Sequence, residues 1–286
     1  MSIVQFNFPT TVKFGAGAVN LAPDALKARG KKKPLIVTDK GLVKLPMIEN
    51  LTAALKKAGL APAVYGGVFG NPVESQVKDG VAAFKEHHAD CLVIIGGGAP
   101  LDVGKAIALM VNHPGKLFDY EDGKPDARPV DQEIPFMIAI PTTSGTGSEV
   151  GRSSVVGDDV TKAKKIIFDP RLLVPLVLAD PELTYGLPPA VTAAVGFDAL
   201  THNVEAYLAK GYHPICEGIA LEGVRLVAKH LPKAVHDPKN LDARGGMMVA
   251  SMMGAAAFQK GLGVTHSAAH ALSTVYDTHQ IGRAHV

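Results

Sequence analysis

Two hydrophobic rhythms divide the chain. Up to about residue 180, short and wholly apolar runs alternate with stretches whose apolar positions recur at helical spacing. PLIVT at 34–38, CLVII at 91–95 and FMIAI at 136–140 show neither a helical period nor polar alternation, which predicts strands buried on both faces. Residues 63–65 and 176–179 predict two further strands, and residues 48–58, 74–87 and 101–111 predict helices between them. Strands that alternate with helices at this distance imply a mostly parallel sheet covered by helices. After Pro188 the rhythm changes. Residues 190–210, 213–230 and 243–261 read as long helices rich in Ala, Met and Leu, with no strand between them. The boundary falls in the Pro-containing stretch DPELTYGLPP, near residues 180–188. No internal repeat or low-complexity segment interrupts this plan.

Composition narrows the class. The 286 residues are 47% hydrophobic and 20% charged, a globular balance long enough for two domains. A formal net charge of +2 makes no electrostatic case for a nucleic acid or a membrane surface as partner. Two cysteines, Cys91 and Cys216, form no disulfide framework and fit a reducing cytoplasm. The start MSIVQFNFPT lacks the basic region and apolar core of a signal peptide, and no apolar run reaches the roughly 18 residues of a membrane span. The expectation is a soluble, cytoplasmic, two-domain protein.

Candidate chemistry clusters at both ends of this plan. Gly96-Gly97-Gly98 follows the buried run CLVII and precedes a helix. Such glycines bring backbone N–H groups close to a phosphate at a helix N-terminus, although a tight turn needs them equally. Asp102, expected in the first helical turn, can hold ribose or amide groups. The pattern is not G-x-G-x-x-G, because the glycines follow a later strand and the acidic residue, Asp39, comes earlier. An acid at that strand end can hydrogen-bond an adenosine ribose and repels a 2′-phosphate, favouring NAD over NADP; a lone Asp there is more often a turn residue or helix cap. The loop PTTSGTGSE at 141–149 carries hydroxyls and glycines at a density suited to wrapping a pyrophosphate or a nicotinamide ribose. In the second half, Asp198 and His202 lie four apart, as do His266 and His270, and His279 follows. Residues four apart share a helix face. A carboxylate with imidazoles suits Zn²⁺ or Fe²⁺ with a position open to substrate.

Taken in order, FGAGA at 14–18, VTD at 37–39, NP at 71–72, GGGAPLD at 96–102, PTTSGTGSE at 141–149, FDALTH at 197–202 and GLGVTHSAAH at 261–270 resemble the iron-containing (group III) alcohol dehydrogenases across residues 3–279. The resemblance implies a dehydroquinate synthase-like architecture: an α/β nucleotide-binding domain with a mostly parallel sheet over 1–183, and an all-helical metal and substrate domain over 184–280, with the active site in the cleft. It implies Asp198, His202 and His266 as metal ligands and His270 as the histidine near the substrate, a candidate proton relay. It implies Asp39, Asn71, Gly97, Gly98, Asp102, Thr142, Thr143, Thr146 and Lys165 as cofactor contacts. The expected activity is interconversion of a small alcohol with its aldehyde or ketone, by hydride transfer with NAD(H) and a divalent Fe²⁺ or Zn²⁺ as Lewis acid. The expected partners are that small molecule and a second copy of the chain. A metal-dependent lyase of the dehydroquinate synthase type is the rival enzyme, although PTTSGTGSE and HSAAH fit the dehydrogenases better.

Two positions depart from the family pattern. Ala99 stands where the family commonly has serine, which removes one hydroxyl donor and leaves the glycine donors. Gln280 stands where the family has its fourth metal-ligating histidine, and family members continue for several more helices. The final IGRAHV matches one reading frame of a common sequencing-library adapter, so residues 280–286 are expected to be read-through after His279 in a truncated gene. A genomic locus that encodes Gln280 and a stop after Val286 would refute this. Without the fourth ligand, weak metal binding and reduced or no activity are expected, as in a fragment that only binds cofactor.

Overall fold

The computed structural model describes residues 4–6 and 10–276; His279, Gln280 and the expected tail at 281–286 lie outside the described residues. The first half runs β1 (Val4–Phe6), β2 (Thr11–Phe14), α1 (Ala22–Lys27), β3 (Pro34–Asp39), α2 (Pro46–Lys57), β4 (Ala63–Val68), α3 (Glu74–Glu86), β5 (Cys91–Gly96), α4 (Gly98–Met110), β6 (Phe136–Pro141), β7 (Ser153–Gly157), β8 (Lys164–Phe168) and β9 (Leu176–Ala179). The second half contains α5 (Pro189–Leu208), α6 (Pro214–His236), α7 (Leu241–Ala257) and α8 (Val264–Tyr276).

Seven strands form one sheet in the order β1-β2-β9-β6-β5-β3-β4, parallel throughout except for the β1–β2 pair. The apolar runs are continuous because each strand feeds two layers. In β5, Leu92 and Ile94 join the core shared with α3 and α4, while Cys91, Val93 and Ile95 join the core shared with α1 and α2. A strand with no solvent face has no use for polar alternation. β2, β7 and β8 escape a reading based on continuous apolar runs. β2 alternates half-buried with buried positions, and β7 and β8 form a separate antiparallel hairpin with exposed positions.

The chain goes from β3 to β4 on one side, then returns to place β5 on the other. Parallel sheets bind ligands at such a switch point, beyond the carboxyl ends of the strands. Here those ends are Asp39 on β3, Gly96 on β5 and, beside Gly96 in register, Pro141 on β6.

The helices of the second half pack on one another through small residues. Ala199, Ala234, Ala243 and Ala250 form a core with Val227, Leu231 and Met247. α7 also turns Met248, Met252 and Ala255 into the large core of the sheet domain, so the two halves share buried surface. Phe197, Val204 and Leu208 on α5, with Ile215 and Leu221 on α6, are exposed.

Candidate active site

The β5–α4 turn and the loop after β6 interlock. The Thr142 N–H donates to the Gly96 carbonyl at 3.0 Å, continuing the β5–β6 ladder into both loops. Thr143 then lies against Gly97 and Thr146 against Gly98. A Cβ at Gly97 would come 3.3 Å from Thr143, and one at Gly98 would come 2.8 Å from Thr146. Small residues at 97 and 98 are therefore demanded by the approach of two hydroxyl side chains. Gly98, Asp102 and Thr146 line a crevice that also meets Asn71, from the β4–α3 connection, and Lys164 on β8. Of the expected cofactor contacts, Asn71, Gly98, Asp102 and Thr146 line this crevice, and Gly97, the neighbour of Gly98, packs against Thr143. Thr142 is buried. Asp39 ends β3 and its Oδ1 accepts the N–H groups of Gly41 and Leu42, both at 2.8 Å, so the turn role is realised.

Two expectations are corrected. Asp102 lies beyond the first turn of α4, which contains no acidic residue. Its carboxylate is already held: Ser148 Oγ donates to Oδ1 at 2.5 Å, Val155 N–H donates to Oδ2 at 3.2 Å, and Lys105 Nζ is 3.3 Å from Oδ1. Lys165 is the other correction. Its ammonium pairs with Asp158 at 3.0 Å and Glu121 at 3.6 Å, and it is its neighbour Lys164 that lines the crevice. Successive residues of a strand point to opposite faces, so an offset of one exchanges crevice for hairpin edge.

Lys105, which the motifs do not reveal, lies behind the crevice against Asp102 and Ser148. It is fully buried, and its Nζ donates to the Ser148 carbonyl at 3.0 Å, to Ser148 Oγ at 2.7 Å and to the Ser153 carbonyl. Burial lowers its pKa, against the opposing pull of Asp102 and Glu149. It ties α4 to the end of the PTTSGTGSE loop and to β7. The signal was available only as a lysine in a mostly apolar helix, three residues after Asp102.

The same loop reaches the helical half. Gly147 has φ +63°, and a Cβ there would meet Ala255 at 2.4 Å and the Ser251 carbonyl at 2.7 Å on α7. Gly145 approaches Val195 of α5 in the same manner, at 3.0 Å. Beside this contact, α5 presents Asp198 and His202, and α8 presents His266. The three are 1%, 6% and 3% exposed, and one possible ligand atom from each lies within 4.8 Å of the others. His266 Nε2 is 3.6 Å from Asp198 Oδ1, and the His202 and His266 rings stack with centroids 4.3 Å apart. Glu205, one helical turn beyond His202, faces His266 Nδ1 at 2.6 Å.

The electrostatics fit a cation. Burial pushes the His202 pKa down, outweighing Asp198 and the Gly145 backbone, so this imidazole is neutral and keeps a lone pair. Its Nδ1 is buried without a hydrogen-bond partner among the described residues. For His266 burial acts in the same sense, but the Asp198 and Glu205 carboxylates outweigh it and raise the pKa, so a proton is drawn to where a metal charge would sit. A buried carboxylate and two imidazoles satisfy the donor requirements of a divalent first-row metal. His270, one turn after His266, has its pKa lowered to about 4 by burial and by the positive charges of Lys164 and His266. This environment favours the neutral ring.

The fold thus sets a crevice at the switch point of a parallel sheet beside a buried carboxylate and two imidazoles that could hold a metal ion. The comparisons with known proteins carry this to the family. Residues 9–181 match the iron-containing alcohol dehydrogenase family, and residues 192–285 match the C-terminal domain of the Fe-containing alcohol dehydrogenase family. The 1,3-propanediol dehydrogenase of Citrobacter freundii is 38% identical over 282 residues, 97% of this chain and 72% of that protein. The 4-hydroxybutyrate dehydrogenase of Cupriavidus necator is 42% identical over 267 residues, 92% of this chain and 68% of that protein. Among solved structures, a 1,3-propanediol oxidoreductase superposes with a TM-score of 0.91 at 37% identity, covering 99% of this chain and 72% of its own. The chain belongs to the iron-containing alcohol dehydrogenase family. It is an NAD-dependent oxidoreductase of alcohol–aldehyde interconversion.

Proposed function

We propose that Asp198, His202 and His266 hold a divalent iron, and that the crevice between Asn71, Gly98, Thr146 and Lys164 holds NAD(H), with His270 beside the substrate hydroxyl. The observation that carries this reading is the buried trio itself, three charge-compatible donors converging within 4.8 Å. When bound, the metal supplies positive charge at the substrate oxygen and the nicotinamide exchanges a hydride with the substrate carbon. The protein supplies the rest. Backbone N–H groups of the Gly97–Gly98 turn and the hydroxyls of Thr143 and Thr146 bind the pyrophosphate at the start of α4. Asp39 takes a ribose, and Asp102 works at one remove by keeping α4 and the 141–149 loop in register. His270, one turn after His266 on α8, is the group placed to relay the hydroxyl proton on alcohol oxidation. Zn²⁺ accepts the same donors, and iron rests on the family name rather than on the donor set.

Relatives named for 1,3-propanediol and 4-hydroxybutyrate support a short alcohol or diol as substrate. Two free, buried cysteines, Cys91 and Cys216, support a reducing cytoplasm as the place of work.

Metal analysis beside cofactor titration tests this assignment. Asp198→Asn and His202→Ala should each lose at least about tenfold in Fe²⁺ or Zn²⁺ affinity and still bind NADH. His270→Ala should keep its metal and lose turnover, by roughly 10²–10⁴-fold for a proton-transfer group. Ligand variants that retain metal, or a His270→Ala variant that loses metal and turnover together, would reverse these assignments.

A further inference from the structure

Glu205 takes no part in the chemistry above, yet its carboxylate is buried and engaged by three partners. It lies on α5 three residues after His202 and seven after Asp198, so all three share one helix face. Its Oε2 accepts the Gly263 N–H at 2.8 Å and faces His266 Nδ1 at 2.6 Å; its Oε1 accepts the Thr265 N–H at 2.7 Å. Gly263 and Thr265 belong to the turn that opens α8. One carboxylate thus gathers the start of α8 and the ring of its third residue onto α5.

The consequence follows from donor and acceptor chemistry. An ionised carboxylate only accepts, so the His266 nitrogen facing it must carry a proton. A neutral imidazole has one N–H and one lone pair, so the lone pair falls on Nε2. That is the nitrogen 3.6 Å from Asp198 Oδ1. We infer that Glu205 is a positioning residue that holds His266 as its Nδ1–H tautomer and docks α8 on α5, so that the single ligand from α8 meets the two from α5. This rests on the metal reading of Asp198, His202 and His266. Outer carboxylates that orient a ligating histidine typically contribute 10–100-fold in metal affinity.

Two measurements test it. Ring ¹⁵N NMR on metal-free wild-type protein, with His266 assigned by its loss in His266→Gln and recorded above the pH at which it sheds its second proton, should show Nδ1–H; an Nε2–H ring overturns the inference without any Glu205 variant having to fold. Competition against a chromogenic chelator should then show Glu205→Ala binding Zn²⁺ roughly 10–100-fold more weakly than wild type, with NADH affinity unchanged. Glu205→Gln should fall between them, because its amide oxygen can still occupy the position shared by Gly263 and His266 at the cost of the Thr265 contact. Wild-type affinity in a folded Glu205→Ala protein contradicts the inference. Failure of the wild type itself to take up Zn²⁺, or equal uptake by Asp198→Asn, contradicts the metal reading instead.

Discussion

Glu149 closes the PTTSGTGSE loop and is nearly fully buried, with Oε1 lacking a hydrogen-bond partner among the described residues. Burial raises its carboxyl pKa from 4.5 to about 7, against the opposing effects of its own backbone N–H and the Lys105 charge. The sign of the linkage is then set. Between 4.5 and about 7 the unfolded chain has released a proton that the folded chain still holds, so unfolding releases a proton and stability falls as pH rises through that window. Glu149→Gln lacks this titration. Its melting temperature relative to wild type should be higher at about pH 8 than at about pH 5, and melting curves at both pH values check this; a pH-independent difference would contradict it. Legibility at this scale was uneven. Asp198, His202 and His266 could be found because two of them repeat at a helical interval and the third begins a second such pair. Glu205 could not, since its partner His266 lies 61 residues away and only packing brings α8 to α5. Lys165 and Lys164 differ by one strand position, and no motif says which of the two faces the crevice.

At the scale of elements, the buried strands were plain because a strand covered on both faces has a sequence unlike anything else in the chain. The helices α5, α6 and α7 were equally plain from composition and spacing. The β7–β8 hairpin was not, because its exposed Ile166 and Phe168 and its lysines match neither a buried strand nor an amphipathic helix. Yet this hairpin supplies Lys164 and Val155 to the crevice. The loop at 141–149 was recognised for its hydroxyls. Its second role, as the seam between the halves, depends on Gly145 and Gly147 meeting α5 and α7 closely, which density of small residues alone does not reveal. Gly147→Ala tests that role. It places a side chain at φ +63° and 2.7 Å from the Ser251 carbonyl, so a loss of about 1–3 kcal/mol is expected, with weaker NADH binding. Denaturant unfolding and NADH fluorescence titration check both, and a variant as stable as wild type would mean that the seam is not tight.

At the scale of the molecule, the division into a sheet half and a helical half could be read from the change of rhythm near Pro188. What could not be read was that α7 contributes to both cores, so that the sheet half and the helical half are held by common buried surface. That arrangement joins a crevice at the switch point of a parallel sheet to a buried carboxylate and two imidazoles. The chain spans 72% of the length of its 1,3-propanediol dehydrogenase relatives, and both the crevice and the trio lie within the aligned part. The most direct measurement is anaerobic NADH formation from a panel of small alcohols and diols, with added Fe²⁺ and with chelator, for wild type and Asp198→Asn. With Gln280 expected in place of a fourth ligand, the account predicts reduced alcohol-dependent NADH formation that requires the metal and is lost in Asp198→Asn while NADH still binds. NADH formation that persists in chelator, or none above the metal-free rate when Fe²⁺ and NAD are both bound, would contradict it.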